Sequence, residues 1–209
     1  MEQPDQGTDV GDSPDFPDSP DSTMSAGRAQ AKALKTALRA TIRNAREQRS
    51  AADRAAFATR LAQWQPPEGT SRVSCFIGVG SEPDTAPLLD HLSRLGVEVL
   101  LPITLDDFSL DWALYSGRGD LADARFGLLE PTGPRLGPDA IGTADIVVIP
   151  ALAIDADGRR LGQGAGCYDR ALPHVARDTP VLGVVYDDER VSDPLPEEPH
   201  DRGVDGIIP

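Results

Sequence analysis

Cysteine and aromatic residues are scarce in this chain. Cys75 and Cys167 are the only cysteines in 209 residues, too few for the disulfide framework of a small secreted scaffold. Cys75 lies in an apolar, strand-like run and is expected to be a small core residue. Phe, Trp and Tyr together make up 5% of the chain. No stretch approaches the roughly 18 consecutive apolar residues of a membrane-spanning helix. The basic-then-apolar order of a secretory signal is also missing, so a cytoplasmic location is expected. His91, His174 and His200 are scattered without metal-ligand spacing and are expected at the surface.

Residues 1–27 contain no Lys or Arg. Seven of the 34 acidic residues fall there, so half of the net charge of −14 belongs to this segment. Its Pro, Ser and Gly content leaves almost nothing apolar to bury. A disordered acidic tail over 1–27 is therefore expected, followed by a single domain over 28–209. The tail is either a regulatory or partner-binding arm or a dispensable extension upstream of a start at Met24. The acid excess argues against nucleic acid as a partner.

Beyond the tail, an amphipathic helix is expected from about Ala29 to Arg49. Leu34, Leu38 and Ile42 recur at helical spacing as a packing stripe, while Lys32, Lys35, Arg39, Arg43 and Arg46 form an adjoining stripe expected to stay solvated. Ser50 and Asp53 resemble a capping box that starts a second helix, with Phe57, Leu61 and Trp64 facing the core. From residue 71 strands and helices alternate. Strands are expected over Arg72–Gly78, Val97–Leu101 (ended by Pro102), Leu110–Tyr115, Ile146–Ile149 and Val181–Val185; helices are expected over Thr85–Leu95 and near Asp169–Val175. The alternation predicts an α/β, three-layer fold: a mostly parallel, Rossmann-like sheet with helices on both faces and a ligand site at the carboxyl ends of the strands.

The run from Gly158 to Arg170 follows the apolar strand at Ile146–Ile149 and precedes a helix. Its spacing is neither that of a P-loop nor the dinucleotide fingerprint GxGxxG. Gly162, Gly164 and Gly166 permit positive φ and converging backbone amides. On glycine content alone a tight turn and a phosphate cradle both remain open. Arg160, Arg170 and the helix N-terminus would add positive charge to a cradle.

The run Arg160-Leu161-Gly162-Gln163-Gly164-Ala165-Gly166-Cys167-Tyr168-Asp169-Arg170 resembles the R-L-G-x-G-x-G-Y-Y-D-R signature of the 5-formyltetrahydrofolate cyclo-ligases, or 5,10-methenyltetrahydrofolate synthetases. Lys35-Thr36-Ala37-Leu38-Arg39 resembles that family's K-x-x-L-R, and Ser81-Glu82-Pro83-Asp84-Thr85 its G-E-x-D-T. Leu101-Pro102, Phe126-Gly127-Leu128-Leu129-Glu130-Pro131 and Pro196-Glu197-Glu198-Pro199-His200-Asp201 follow in family order, so the likeness spans roughly residues 32–208.

The resemblance implies ATP-dependent cyclisation of 5-formyltetrahydrofolate to 5,10-methenyltetrahydrofolate, with Mg²⁺, on a scaffold like that of sugar-phosphate isomerases and CoA transferases. It implies an ATP site at Lys35, Thr36, Ala37, Leu38 and Arg39 together with Arg160, Leu161, Gly162, Gln163, Gly164, Ala165, Gly166, Cys167 and Tyr168. Folate contacts are implied at Ile77, Glu82 and Gln163–Cys167, and Mg²⁺ ligands at Asp169 and Asp201. No side-chain nucleophile is needed; Arg160 and Tyr168 are the candidates for assisting the chemistry. Cys167 replaces the first family tyrosine, and Glu189 stands near a common glutamine. Sugar-phosphate isomerase, acyl-CoA transferase and non-catalytic nucleotide- or folate-binding readings are the alternatives. The oligomeric state is open, with a monomer favoured.

Overall fold

A computed structural model describes residues 20–198 and 201–208, with side chains from residue 27 onward. Residues 1–19 of the expected tail, and His200, lie outside the described residues. The elements in chain order are α1 (Pro20–Gln48), α2 (Ala51–Leu61), β1 (Arg72–Ser74), α3 (Ala86–Arg94), β2 (Glu98–Thr104), β3 (Leu110–Leu114), β4 (Leu121–Asp123), β5 (Leu129–Pro131), β6 (Ile146–Pro150), β7 (Ala153–Asp155), β8 (Arg160–Leu161), α4 (Cys167–Ala171), β9 (Val181–Val184), β10 (Arg190–Val191) and β11 (Gly206–Ile207). Thus α1 begins inside the segment expected to be tail.

Six strands form the central sheet in the order β11-β9-β6-β1-β2-β3. All neighbours are parallel except β2 and β3. The apolar run of β6 is buried throughout because mid-sheet strands of a parallel sheet are covered on both faces. Ile146 and Val148 join Phe57 and Leu61 of α2 and Leu88, Leu89 and Leu92 of α3 in one core. Val147 and Ile149 point the other way, toward Ile141, Ala171, Leu172 and Val175. Helical elements thus cover both faces, as the strand–helix alternation predicted.

Local chemistry explains the element ends. Ser50 caps α2 by accepting the Asp53 amide at 3.1 Å. After α4 the chain continues as a single 3₁₀ turn over Leu172–His174, because Pro173 has no amide to extend the α-helical ladder. Pro102 does not end β2, contrary to expectation. It pairs with Trp112 of β3, and by strand alternation its missing N–H faces the opposite edge, beyond the end of β1. On that same edge the Thr104 amide donates to Glu130 Oε1 at 2.8 Å.

Two further expectations are corrected. The glycine loop does not follow β6 directly. The antiparallel pair β7–β8 intervenes and joins β10 in a small second sheet. Its turn is held by Asp155, whose Oδ1 accepts the amides of Asp157 and Arg159, each at 2.9 Å. The faces of α1 are also partly exchanged: Leu34 is 50% exposed, whereas Lys35 and Arg46 are 5% and 1% exposed. Leu38 and Ile42 pack partly against Leu152, Ala153, Leu161 and Leu195. The basic stripe meets carboxylates and carbonyl groups of the domain, which make its burial tolerable.

Candidate functional site

A cleft of about 470 Å³ opens where the glycine loop, the loop after β1, the β2–β3 and β4–β5 turns, α1 and the C-terminal segment converge. Lys35 enters from α1. Its Nζ donates to Glu198 Oε2 at 3.0 Å and to Asp201 Oδ2 at 2.5 Å. Burial disfavours the ammonium, but the two carboxylates outweigh it and hold its pKa above the ordinary lysine value. Arg39, one turn on, donates Nε to the Gly162 carbonyl at 2.8 Å. Thr36 and Ala37 are exposed and Leu38 packs on the small sheet, so none of these three lines the cleft.

The glycine loop leaves β8 and folds over Arg39. Gly164 has φ +106°, and a Cβ there would stand 3.4 Å from the Arg39 guanidinium carbon. Positive φ and this close approach suit glycine. The amides of Gly162 through Gly166 donate to no acceptor among the described residues. At the loop's end α4 is only five residues long and adds little dipole. Arg160 is tied by Nε to the Arg202 carbonyl at 3.0 Å and pairs with Asp169. Tyr168 lines the cleft, and its covered hydroxyl has no partner among the described residues. Burial raises that hydroxyl well above the usual tyrosine pKa, so it stays a neutral donor. Burial likewise raises the Cys167 thiol.

The opposite wall begins after β1. Gly78 is required there, since a Cβ would lie 1.9 Å from the Pro83 carbonyl oxygen. Thr85 ties that turn, accepting the Gly78 amide at 3.0 Å and donating to the Phe76 carbonyl at 2.6 Å. The turn presents Ile77 and Glu82 to the cleft. The Glu82 carbonyl accepts the Tyr186 hydroxyl at 3.3 Å.

Phe108 and Phe126 complete the wall, with ring centroids 5.6 Å apart and planes at 25°. Both are non-glycine residues at positive φ, 63° and 61°. An Arg125–Asp106 ion pair joins their two turns, and Arg170 Nη2 bridges the Phe108 carbonyl at 2.9 Å to the Ala165 carbonyl at 2.8 Å.

All the expected site residues outside positions 36–38 therefore border one cleft. Glu198, Phe108 and Phe126 also line the cleft, outside the residues that the motifs assign to the site. Glu198 and Phe126 fall within the segments Pro196–Asp201 and Phe126–Pro131 that follow in family order, which is the signal the sequence carries for them. No group of three or more His, Cys, Asp or Glu is gathered for a metal among the described residues. Asp169 and Asp201 are hard oxygen donors on the cleft wall and suit Mg²⁺, which needs one or two carboxylates when phosphate and water supply the rest.

The model of the 5-formyltetrahydrofolate cyclo-ligase family matches residues 27–209. A 5-formyltetrahydrofolate cyclo-ligase of Mycolicibacterium smegmatis is 45% identical over 141 residues, covering 65% of this chain and 72% of the relative. The Escherichia coli K12 enzyme of the same name is 31% identical over 155 residues, covering 72% and 84%. The NMR structure of Aquifex aeolicus 5,10-methenyltetrahydrofolate synthetase superposes with a TM-score of 0.70 at 27% identity, covering 84% of this chain and 89% of that one. A match over nearly the whole described chain, with the signature loop, Lys35, Arg39 and Glu82 gathered on one cleft, places this chain in the 5-formyltetrahydrofolate cyclo-ligase family.

Proposed function

We propose that this cleft binds ATP against α1 and the glycine loop and 5-formyltetrahydrofolate against the Glu82 and phenylalanine wall, and closes the folate ring at the expense of ATP. The convergence of cations and amides without an acceptor among the described residues on one side with a carboxylate and an aromatic pair on the other carries this reading. Lys35, Arg39 and Arg160 neutralise the triphosphate, and the amides of Gly162, Gly164 and Gly166 cradle it. Glu82 accepts paired hydrogen bonds from the pterin amino group and ring N–H. Ile77, Phe108 and Phe126 supply apolar and stacking surface for its rings.

Phosphorylation solves a specific difficulty. The formyl carbon is an amide carbon, a poor electrophile with a poor leaving group. Its oxygen attacks the γ-phosphorus and ADP leaves, giving an iminium phosphate. N10 of the same folate attacks the activated carbon and loses its proton, and the C–O bond breaks to release phosphate and the 5,10-methenyl product. Positioning and charge neutralisation suffice for each step. Tyr168 lines the cleft with a hydroxyl that burial keeps protonated, so in this reading it would assist as a neutral donor. Asp169 and Asp201 would hold Mg²⁺, which supplies charge screening of the triphosphate.

The named relatives favour this activity over the isomerase, acyl-CoA transferase and binding-protein alternatives. The likeness to those scaffolds comes from the family resemblance, and no role rests on it. No described helix is long and apolar enough to cross a membrane. A cytoplasmic enzyme that binds small molecules and no nucleic acid fits the composition. Incubation of the purified protein with Mg-ATP and 5-formyltetrahydrofolate tests the reading. The conjugated amidinium product is expected to absorb at longer wavelength than the substrate, with one ADP and one phosphate per turnover; absence of both signals overturns it.

A further inference from the structure

Arg43 stands one turn beyond Arg39 on α1, outside the residues assigned above to either substrate. It meets the glycine loop at a single residue. Its Nε and Nη2 donate to Gln163 Oε1 at 3.0 and 2.8 Å, and Nη2 also donates to the Gln163 carbonyl at 2.9 Å. These bonds fix which way the amide points. With Oε1 turned toward the guanidinium, the NH₂ group must face the other wall, where Nε2 donates to Glu82 Oε1 at 3.1 Å. A flipped amide would set donor against donor at Arg43 and acceptor against carboxylate at Glu82. The second Glu82 oxygen accepts the Val79 amide at 3.3 Å. Each carboxylate oxygen is thereby held by a different element, one from its own loop and one from across the cleft.

We propose that Arg43 is a positioning residue which, through the Gln163 amide, orients the Glu82 carboxylate for the folate. This rests on the reading of Glu82 as a folate contact. The arrangement joins the helix that carries Lys35 and Arg39 to the folate wall by one three-residue chain. Lysine cannot replace Arg43, because its single ammonium lacks the fork that reaches Oε1 twice and the backbone carbonyl as well.

Steady-state kinetics and Mg-ATP calorimetry on the full chain test this with Arg43→Lys, Gln163→Met, their double variant and Glu82→Gln. Arg43→Lys keeps the charge beside the nucleotide side. It is expected to raise KM for 5-formyltetrahydrofolate roughly three- to tenfold, with kcat and Mg-ATP affinity within about twofold of wild type. Because the two residues act in series, the double variant should lose no more than the worse single variant. Unchanged folate KM in Arg43→Lys, while Glu82→Gln raises it, overturns the relay and leaves the folate wall standing. Additive losses, or a fall in ATP affinity that accounts for the whole effect, also overturn it. If Glu82→Gln itself leaves folate KM unchanged, the reading of Glu82 fails and the proposal falls with it.

Discussion

Lys35 and Arg39 belong to one basic stripe but are held differently, and their substitutions should separate. Lys35 sits between Glu198 and Asp201 with 7% of its side chain exposed. Lys35→Ala leaves those carboxylates facing each other, so it should weaken nucleotide binding and also cost about 2–3 kcal/mol of stability. That is less than for a fully buried pair, because solvent still reaches both acids. Arg39 is half-buried and bonds a carbonyl, so Arg39→Ala should weaken Mg-ATP binding with little loss of stability. Calorimetry and urea unfolding on both variants measure the two effects. The raised pKa of Lys35 means its contribution is fully present below the ordinary lysine value and is lost only as pH climbs through the higher folded value. The ammonium is therefore available at neutral pH. At Cys167 the half-buried thiol is neutral and lines the cleft. Cys167→Tyr, which restores the family residue, is expected to preserve or raise kcat/KM.

Among elements, α1 is the clearest case of docking through polar groups. Arg46 lies almost fully buried, donating Nε and Nη2 to the Glu189 carboxylate at 2.7 and 2.8 Å and Nη2 to the Ala151 carbonyl at 2.6 Å. Glu189 in turn accepts the Tyr186 amide at 2.9 Å. Arg46→Met should destabilise the protein by about 3–5 kcal/mol, because it strands a buried carboxylate. Adding Glu189→Gln should recover part of that loss, since the amide oxygen can still take the Tyr186 N–H. Chemical denaturation of the single and double variants checks both statements. The N-terminal end of α1 is another matter. Residues 27–30 are exposed, and the preceding sequence has almost nothing apolar to pack, so deleting residues 1–27 should shift Tm by less than about 2 °C.

At the scale of the whole molecule, the cleft is assembled from segments far apart in sequence, so ligand binding and global stability should be linked. Mg-ATP at about a hundredfold over its Kd should add roughly 2.7 kcal/mol and raise Tm by about 5–10 °C in a thermal melt. Acid should act in the opposite sense. Burial opposes the Asp155 charge, but the Leu195, Arg159 and Asp157 amides and the Arg159 side chain outweigh it; the Arg72 and Ser71 amides likewise hold Asp145 low. Both carboxylates have folded pKa values below their unfolded ones. Their stabilisation is complete above about pH 4–5 and is lost as pH falls through the folded values. Urea midpoints measured between pH 7 and pH 3 should decline chiefly at the acid end. What could be read from the sequence alone was local in origin. Apolar runs marked β6 and β9, Ser50 marked a cap, and the order of short motifs marked the family and most of the cleft. Helical periodicity showed that Lys35, Arg39 and Arg46 share a stripe, but not what that stripe would meet. Its partners, Glu198, Asp201 and Glu189, lie more than a hundred residues downstream. The stacking of Phe108 on Phe126 and the chain from Arg43 through Gln163 to Glu82 were likewise decided only when the tertiary fold closed. A residue pattern encodes which side chains point the same way; the energy of burying a charge depends on the opposite charge that the fold brings to it.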